Sequence, residues 1–181
     1  DLLRLDLTVS KPEMADILAD MGMISAQFGI ETSDKQDGLM IGKGMDFQKQ
    51  IDYLAKIKQT SWKNITSRSL FIMGFPNDSW EKIYRLEEWM RSKENPLDEC
   101  HFVTLTITHK QFHNNRHIFV SSLDKNYEQL GYEFTEKDGV PSWYNHKSGL
   151  YEVDLLKYQY KVNPGLIENF KYTGFRLMDL E

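Results

Sequence analysis

Residues 69–79, Ser69-Leu70-Phe71-Ile72-Met73-Gly74-Phe75-Pro76-Asn77-Asp78-Ser79, hold the reading on which the fold turns. The unbroken apolar run before Gly74 predicts a strand covered on both faces, since a half-exposed strand would alternate. Pro76 cannot donate to a ladder and ends it. Asp78 or Ser79 can then accept the free N–H groups at a helix start. Trp80, Ile83, Leu86 and Met90 follow at the spacing of one helical face.

The same unit repeats outward from this stretch. Ile24 to Ile30 reads as a strand, followed by a loop with Gly38, Gly42 and Gly44. Asp46 can cap a helix whose face carries Phe47, Ile51, Leu54 and Ile57 or Lys58. Earlier still, Leu2 to Leu7 reads as a strand. Ser10-Lys11-Pro12-Glu13 has the form of a reciprocal helix cap. Met14, Ile17, Leu18 and Met21 share the next helical face, and Gly22 supplies a left-handed stop. His101 to Ile107 is the fourth strand. Strands alternating with helices predict a parallel sheet with crossover helices.

After Thr108 the character changes. Residues 109–118 are polar and rich in histidine and asparagine, and Asp138-Gly139 and Asn163-Pro164-Gly165 read as turns. The expected organisation is an α/β portion over 1–108 and an α+β extension over 109–181 packed on it.

Composition narrows the classes. The chain has 181 residues, 40% of them hydrophobic, enough for one domain with its own core. The net charge of -5 disfavours nucleic acid as a partner. Cys100 is the single cysteine, which excludes a disulfide framework and an all-cysteine metal site built from this chain alone, and it makes a reducing, cytoplasmic setting the default. No apolar run reaches eighteen residues, so no membrane span is predicted. The chain opens on Asp1 and runs straight into apolar residues, which suggests a fragment or a processed product.

Ligands of parallel α/β sheets and barrels bind where strands pass into helices. Four stretches lie there: Asp6 to Thr8, Gly29 to Thr32, Gly74 to Asn77, and Thr106 to Thr108. Gly29 and Gly74 permit close backbone approach or an unusual turn. Glu31 can accept hydrogen bonds from a ribose diol, and Ile72 and Phe75 can cover a flat ring such as adenine. Each feature also has a plain structural reading, as a turn or a helix cap.

Taken in order, these stretches resemble the radical S-adenosylmethionine (SAM) superfamily. Gln27-Phe28-Gly29-Ile30-Glu31-Thr32 is similar to its Gly-Ile-Glu-Ser strand end. Ile41-Gly42-Lys43-Gly44 is similar to the segment that follows, and Phe71 to Ser79 to the strand one crossover later. Asn126 to Tyr132 and Trp143-Tyr144-Asn145 look more loosely like an extension found in the branch that often carries a cobalamin-binding domain upstream.

The resemblance implies the later strands of a partial parallel (β/α) barrel of the TIM-like radical SAM type, with a C-terminal α+β extension. It implies part of an enzyme that uses a four-iron four-sulfur cluster to cleave SAM into a 5′-deoxyadenosyl radical. An electron donor protein and a small-molecule or peptide substrate would be its partners. By position, Glu31 matches the ribose contact, with Gly29 and Thr32 beside it. Ile72 and Gly74 match the adenine-packing strand, and Thr106 and Thr108 the last strand's exit. The three-cysteine cluster motif and the strand that binds the methionyl amino group are absent from the sequence, and Leu70 and Asn77 stand where the family often has glycine and glutamate.

No residue is assigned as catalytic, and no metal ligand is assigned. His109, His113 and His117 are spaced as one helical face would place metal ligands, but they read better as a solvated loop. The late aromatics read as the extension's own core, and Lys43 and Lys63 could meet a carboxylate or phosphate. The alternative function is a non-catalytic α/β module acting as a binding or scaffold unit. Another barrel or sheet enzyme using the same strand-end mouth is a third reading. An exposed sheet edge near residues 1–7 predicts marginal stability or self-association.

Overall fold

The structure is a computed structural model that describes residues 2–114, 117 and 120–167. Its first part is a four-stranded parallel sheet made of β1 (Leu2–Leu3), β2 (Ser25–Glu31), β3 (Thr66–Met73) and β4 (Glu99–Thr104). The strands lie in sequence order, each parallel to the next. An order that never reverses has no switch point within the sheet, so the strand exits share one end.

The predicted two-sided burial is not what forms. Along β3, half-buried and buried residues alternate from Thr66 to Met73. Phe28, Phe71 and Phe102 lie on the buried face. Helices α2 (Glu13–Asp20), α4 (Phe47–Lys58) and α5 (Trp80–Met90) pack there. Trp62 stacks on Phe28 with ring centres 5.6 Å apart, and its indole N–H donates to the Ala15 carbonyl. Phe47 and Trp89 meet Phe71 edge-on. Gln27, Gly29, Arg68, Leu70, Ile72, His101 and Val103 occupy the opposite, half-buried face. The run at 70–73 hid this because large apolar residues also fill the half-buried positions.

Several elements depart from the sequence reading. Only Leu2–Leu3 pair as a strand; Leu5–Ser10 form helix α1, so the Asp6 to Thr8 stretch lies within a helix. Arg4 and Asp6 form an ion pair of 2.6 Å at its start, and Asp6 suits the positive end of the helix. The reciprocal cap at Ser10 to Glu13 does not form: Ser10 donates back to the Asp6 carbonyl, and Pro12 precedes α2 without a side-chain cap. In α2, Ala15 is buried while Met14, Ile17 and Met21 are exposed. The loop around Gly38 contains helix α3 (Lys35–Met40), capped by Asp34 through the N–H groups of Gln36 and Asp37. The caps at Asp46 and Ser79 and the left-handed Gly22 form as predicted.

The later part is an antiparallel sheet of β5 (Tyr132–Lys137), β6 (Val140–Asn145) and β7 (Leu150–Tyr151), preceded by α6 (Ser122–Asn126) and followed by α7 (Glu152–Ile167). Asp138 and Gly139, both with positive φ, make the β5–β6 turn, as the twist of a two-residue hairpin requires. Asn163-Pro164-Gly165 is no turn: it lies inside α7, which runs beside β4. The protein is therefore a mixed α/β fold with one parallel and one antiparallel sheet.

Candidate functional site

The rim at the carboxyl ends of β2 and β3 gathers the predicted residues, and their geometry separates them. Pairing between β2 and β3 slips between Phe28 and Glu31, and Glu31 has a φ of 70°. A left-handed glutamate is strained, and such strain persists only where the surroundings impose it. Lys43 Nζ donates to the Gly29 carbonyl at 2.6 Å. A Cβ built on Gly29 would stand 2.7 Å from Glu31 Oε1 and 2.9 Å from Lys43 Nζ. A side chain here would push both of these flexible chain ends aside, and Gly29 floors a notch with a carboxylate on one side and an ammonium on the other. Burial raises the Glu31 carboxyl above its ordinary range, and Lys43 opposes that rise.

Gly74 has a different task. Its φ is 107°, and a Cβ on it would meet the Trp143 ring at 2.6 Å and Leu155 at 3.0 Å. Tyr132 donates its hydroxyl to the Gly74 carbonyl at 2.6 Å, and the Trp143 indole donates to the Leu105 carbonyl at 3.0 Å. Aromatic donors of the extension thus occupy the exits of β3 and β4. Gly74 shares a rim with Glu31, and its own open side is filled by Trp143.

Asp78 holds the turn from below. One of its oxygens accepts from the N–H groups of Gly74 and Phe75 at 2.7 and 3.0 Å. Burial nonetheless pushes its carboxyl up to about 7, aided by the charge of Asp37 and opposed by the two N–H groups and Lys82. Asp37 is fully buried; one oxygen accepts from the Asn77 amide and the other has no partner among the described residues. Burial raises Asp37 as well. Lys82 joins the Asn77 carbonyl to the Asp34 carboxylate. At Asp34 burial is outweighed by Lys82 and the backbone N–H groups, so its carboxyl titrates below the ordinary range.

The remaining predicted residues scatter. Thr32 is buried, and its hydroxyl accepts from the Asp34 N–H. Thr32, Ile72, Asp78, Lys82 and Phe102 help line a small cavity of about 20 Å³, room for about one water and not for a nucleoside. Ile72 packs against the core. Thr106 is exposed, and Thr108 is tied to the extension through its N–H to Asp124 and its carbonyl to His113. The His109 ring rests edge-on against Phe134, while His113 takes the Thr108 carbonyl. Among the described residues no cluster of three histidine, cysteine or acidic side chains could hold a metal.

Sequence reading passed over Asp37, Lys82, Tyr132 and Trp143 as site-shaping residues. Tyr132 and the Trp143 to Asn145 stretch were noted as loose matches to an extension, which was the available signal for their role at the rim. Among the described residues no helix is long and apolar enough to cross a membrane. Comparisons with protein-family models, with curated proteins and with solved structures give no match.

Proposed function

We propose that the chain forms the later strands of a radical SAM-type barrel and that its Glu31–Gly29–Lys43 notch holds part of SAM. Sequential parallel strands, helices on one face and a half-buried opposite face support the barrel reading. The observation that carries the ligand reading is the notch itself. A strained, half-buried carboxylate without a hydrogen bond among the described residues stands across a glycine floor from an ammonium. A ribose diol can donate to Glu31, and Lys43 can face an anionic group of the same ligand.

SAM supplies a 5′-deoxyadenosyl radical when a reduced iron–sulfur cluster cleaves it. The residues present do not fit such a cluster: Cys100 is the single cysteine, it is buried, and burial pushes its thiol up to about 12. The ligands of such a cluster, like any cobalamin domain, would come from outside these 181 residues. What this chain contributes is orientation. Glu31 fixes a hydroxyl-bearing ring, and Gly29 lets the ligand approach the backbone.

Equilibrium dialysis with SAM and S-adenosylhomocysteine tests the reading. Both should bind. Glu31→Gln should weaken binding roughly ten- to hundredfold, the worth of one hydrogen bond to a charged group. Gly29→Ala should weaken it by pushing the Glu31 and Lys43 side-chain ends out of place. Absence of binding, or binding indifferent to both changes, would remove the proposal. That result would favour a non-catalytic binding or scaffold module, a reading supported by the way Trp143 and Tyr132 already fill the rim at β3 and β4.

A further inference from the structure

Strand β4 ends the parallel sheet, so among the described residues one side of its backbone has no strand partner. Odd-numbered residues face β3, as the Leu105 N–H bonded to the Met73 carbonyl shows. Phe102 and Thr104 therefore present their N–H and C=O groups outward. A row of such groups is a template for pairing with another chain.

Three of these four groups, all but the Thr104 carbonyl, are already taken by side chains of α7. The Asn163 amide pairs twice with Phe102: its Oδ1 accepts from the Phe102 N–H and its Nδ2 donates to the Phe102 carbonyl, both at 2.9 Å. Gln159 Oε1 accepts from the Thr104 N–H at 2.6 Å and from the Thr104 hydroxyl at 3.0 Å. The spacing makes this possible. Four residues along a helix rise about 6 Å, and two residues along a strand span about 6.6 Å. The order 163 then 159 against 102 then 104 means that α7 runs antiparallel to β4. A primary amide carries the same donor and acceptor as a peptide group, so Asn163 with both and Gln159 with its acceptor reproduce three of the four outward contacts of a neighbouring strand. Leu155 and Val162, both buried, seat the helix in this register, and Tyr158 packs against Phe102.

We infer that Gln159 and Asn163 act as a surrogate strand that holds α7 on the β4 edge and seals it against strand addition, and that once these bonds are lost and α7 lifts from the edge, β4 pairs with β4 of a second copy. A second copy about a two-fold axis is the favoured occupant because β4 offers six residues to its own equivalent, whereas the free edge at β1 offers two. The inference is independent of any ligand at the rim.

Hydrogen exchange on the unmodified chain gives the first test. The Phe102 and Thr104 amides should exchange as slowly as amides inside β3. Exchange as fast as that of exposed loop amides would overturn the inference whether or not any variant folds. The double variant Gln159→Ala, Asn163→Ala gives the second. At concentrations too low for pairing, its Phe102 and Thr104 amides should exchange at least tenfold faster, and at higher concentration sedimentation should show a dimer beyond whatever the unmodified chain forms at equal concentration. The Gln159→Glu variant, which keeps the acceptor for Thr104, should sediment as the unmodified chain does. A folded double variant that sediments like the unmodified chain would overturn the inference.

Discussion

Two glycines at matching strand exits carry opposite consequences, and substitution should separate them. At Gly74 an alanine must adopt a φ near 107° with its Cβ driven into Trp143. Overpacking and backbone strain each cost about 1–3 kcal/mol, so Gly74→Ala should lose roughly 2–4 kcal/mol in urea unfolding. A loss under about 0.5 kcal/mol would mean that Trp143 does not rest on this residue. Glu31 poses the reverse case, a side chain kept where the backbone prefers glycine. Glu31→Gly relieves the left-handed strain and removes a half-buried carboxylate, so it should gain about 1 kcal/mol and, on the proposed function, lose SAM binding. Stability and binding falling together would instead mark Glu31 as a structural residue. The sequence showed that a glycine sits at each exit. It did not show which one is closed over, because that depends on a tryptophan 69 residues further along the chain.

At the scale of elements, strands and helices were readable wherever a cap or a breaker stood next to a periodic run. Asp46 and Ser79 start α4 and α5, Gly22 ends α2, and Asp138-Gly139 turns the hairpin. The reading failed where distant contacts decide. Asn163-Pro164-Gly165 has turn chemistry, yet it stays helical because the Asn163 side chain is bound to Phe102 rather than to its own backbone. Leu5 to Ser10 alternates like a strand, but Leu5 and Thr8 turn inward together and Thr8 donates to the Leu5 carbonyl. The join between the two sheets was likewise invisible, since it rests on Tyr132 and Trp143 donating to backbone carbonyls across the chain. Tyr132→Phe keeps the ring and strands the Gly74 carbonyl. It should cost about 1–3 kcal/mol, the price of a buried unsatisfied group. Amide exchange should rise in residues 132–145 more than in β2. Equal acceleration everywhere would show that the hydroxyl is not a local clasp.

For the molecule as a whole, the titrating carboxyls pull stability in two directions, and the balance sets a pH optimum. Burial raises Glu31, Asp37, Glu99 and Glu152, and lifts Asp78 to about 7. A folded pKa above the unfolded one means that the native state holds the proton more tightly. That contribution is complete below about pH 4 and is lost as pH rises through the folded value. For Asp78 the loss runs from about pH 4 to about 7. Asp34 and Asp124 go the other way: burial is outweighed by Lys82 and backbone N–H groups at the first and by Ser121 and the Thr108 N–H at the second. Their contribution is present above about pH 4 and disappears as pH falls through their lowered values. Stability should therefore peak in the mildly acidic range and decline toward pH 8. Asp78→Asn isolates the main cause of that decline. Its amide oxygen can still accept from Gly74 and Phe75, and it has no proton to lose. The variant should match the parent near pH 4–5, exceed it at pH 8 by a few kcal/mol at most, and show a flatter Tm between those values. A parent whose Tm is constant from pH 4.5 to 8, or an Asp78→Asn variant with the parent's slope, would mean that the Gly74 turn is held by an ordinary ionised carboxylate.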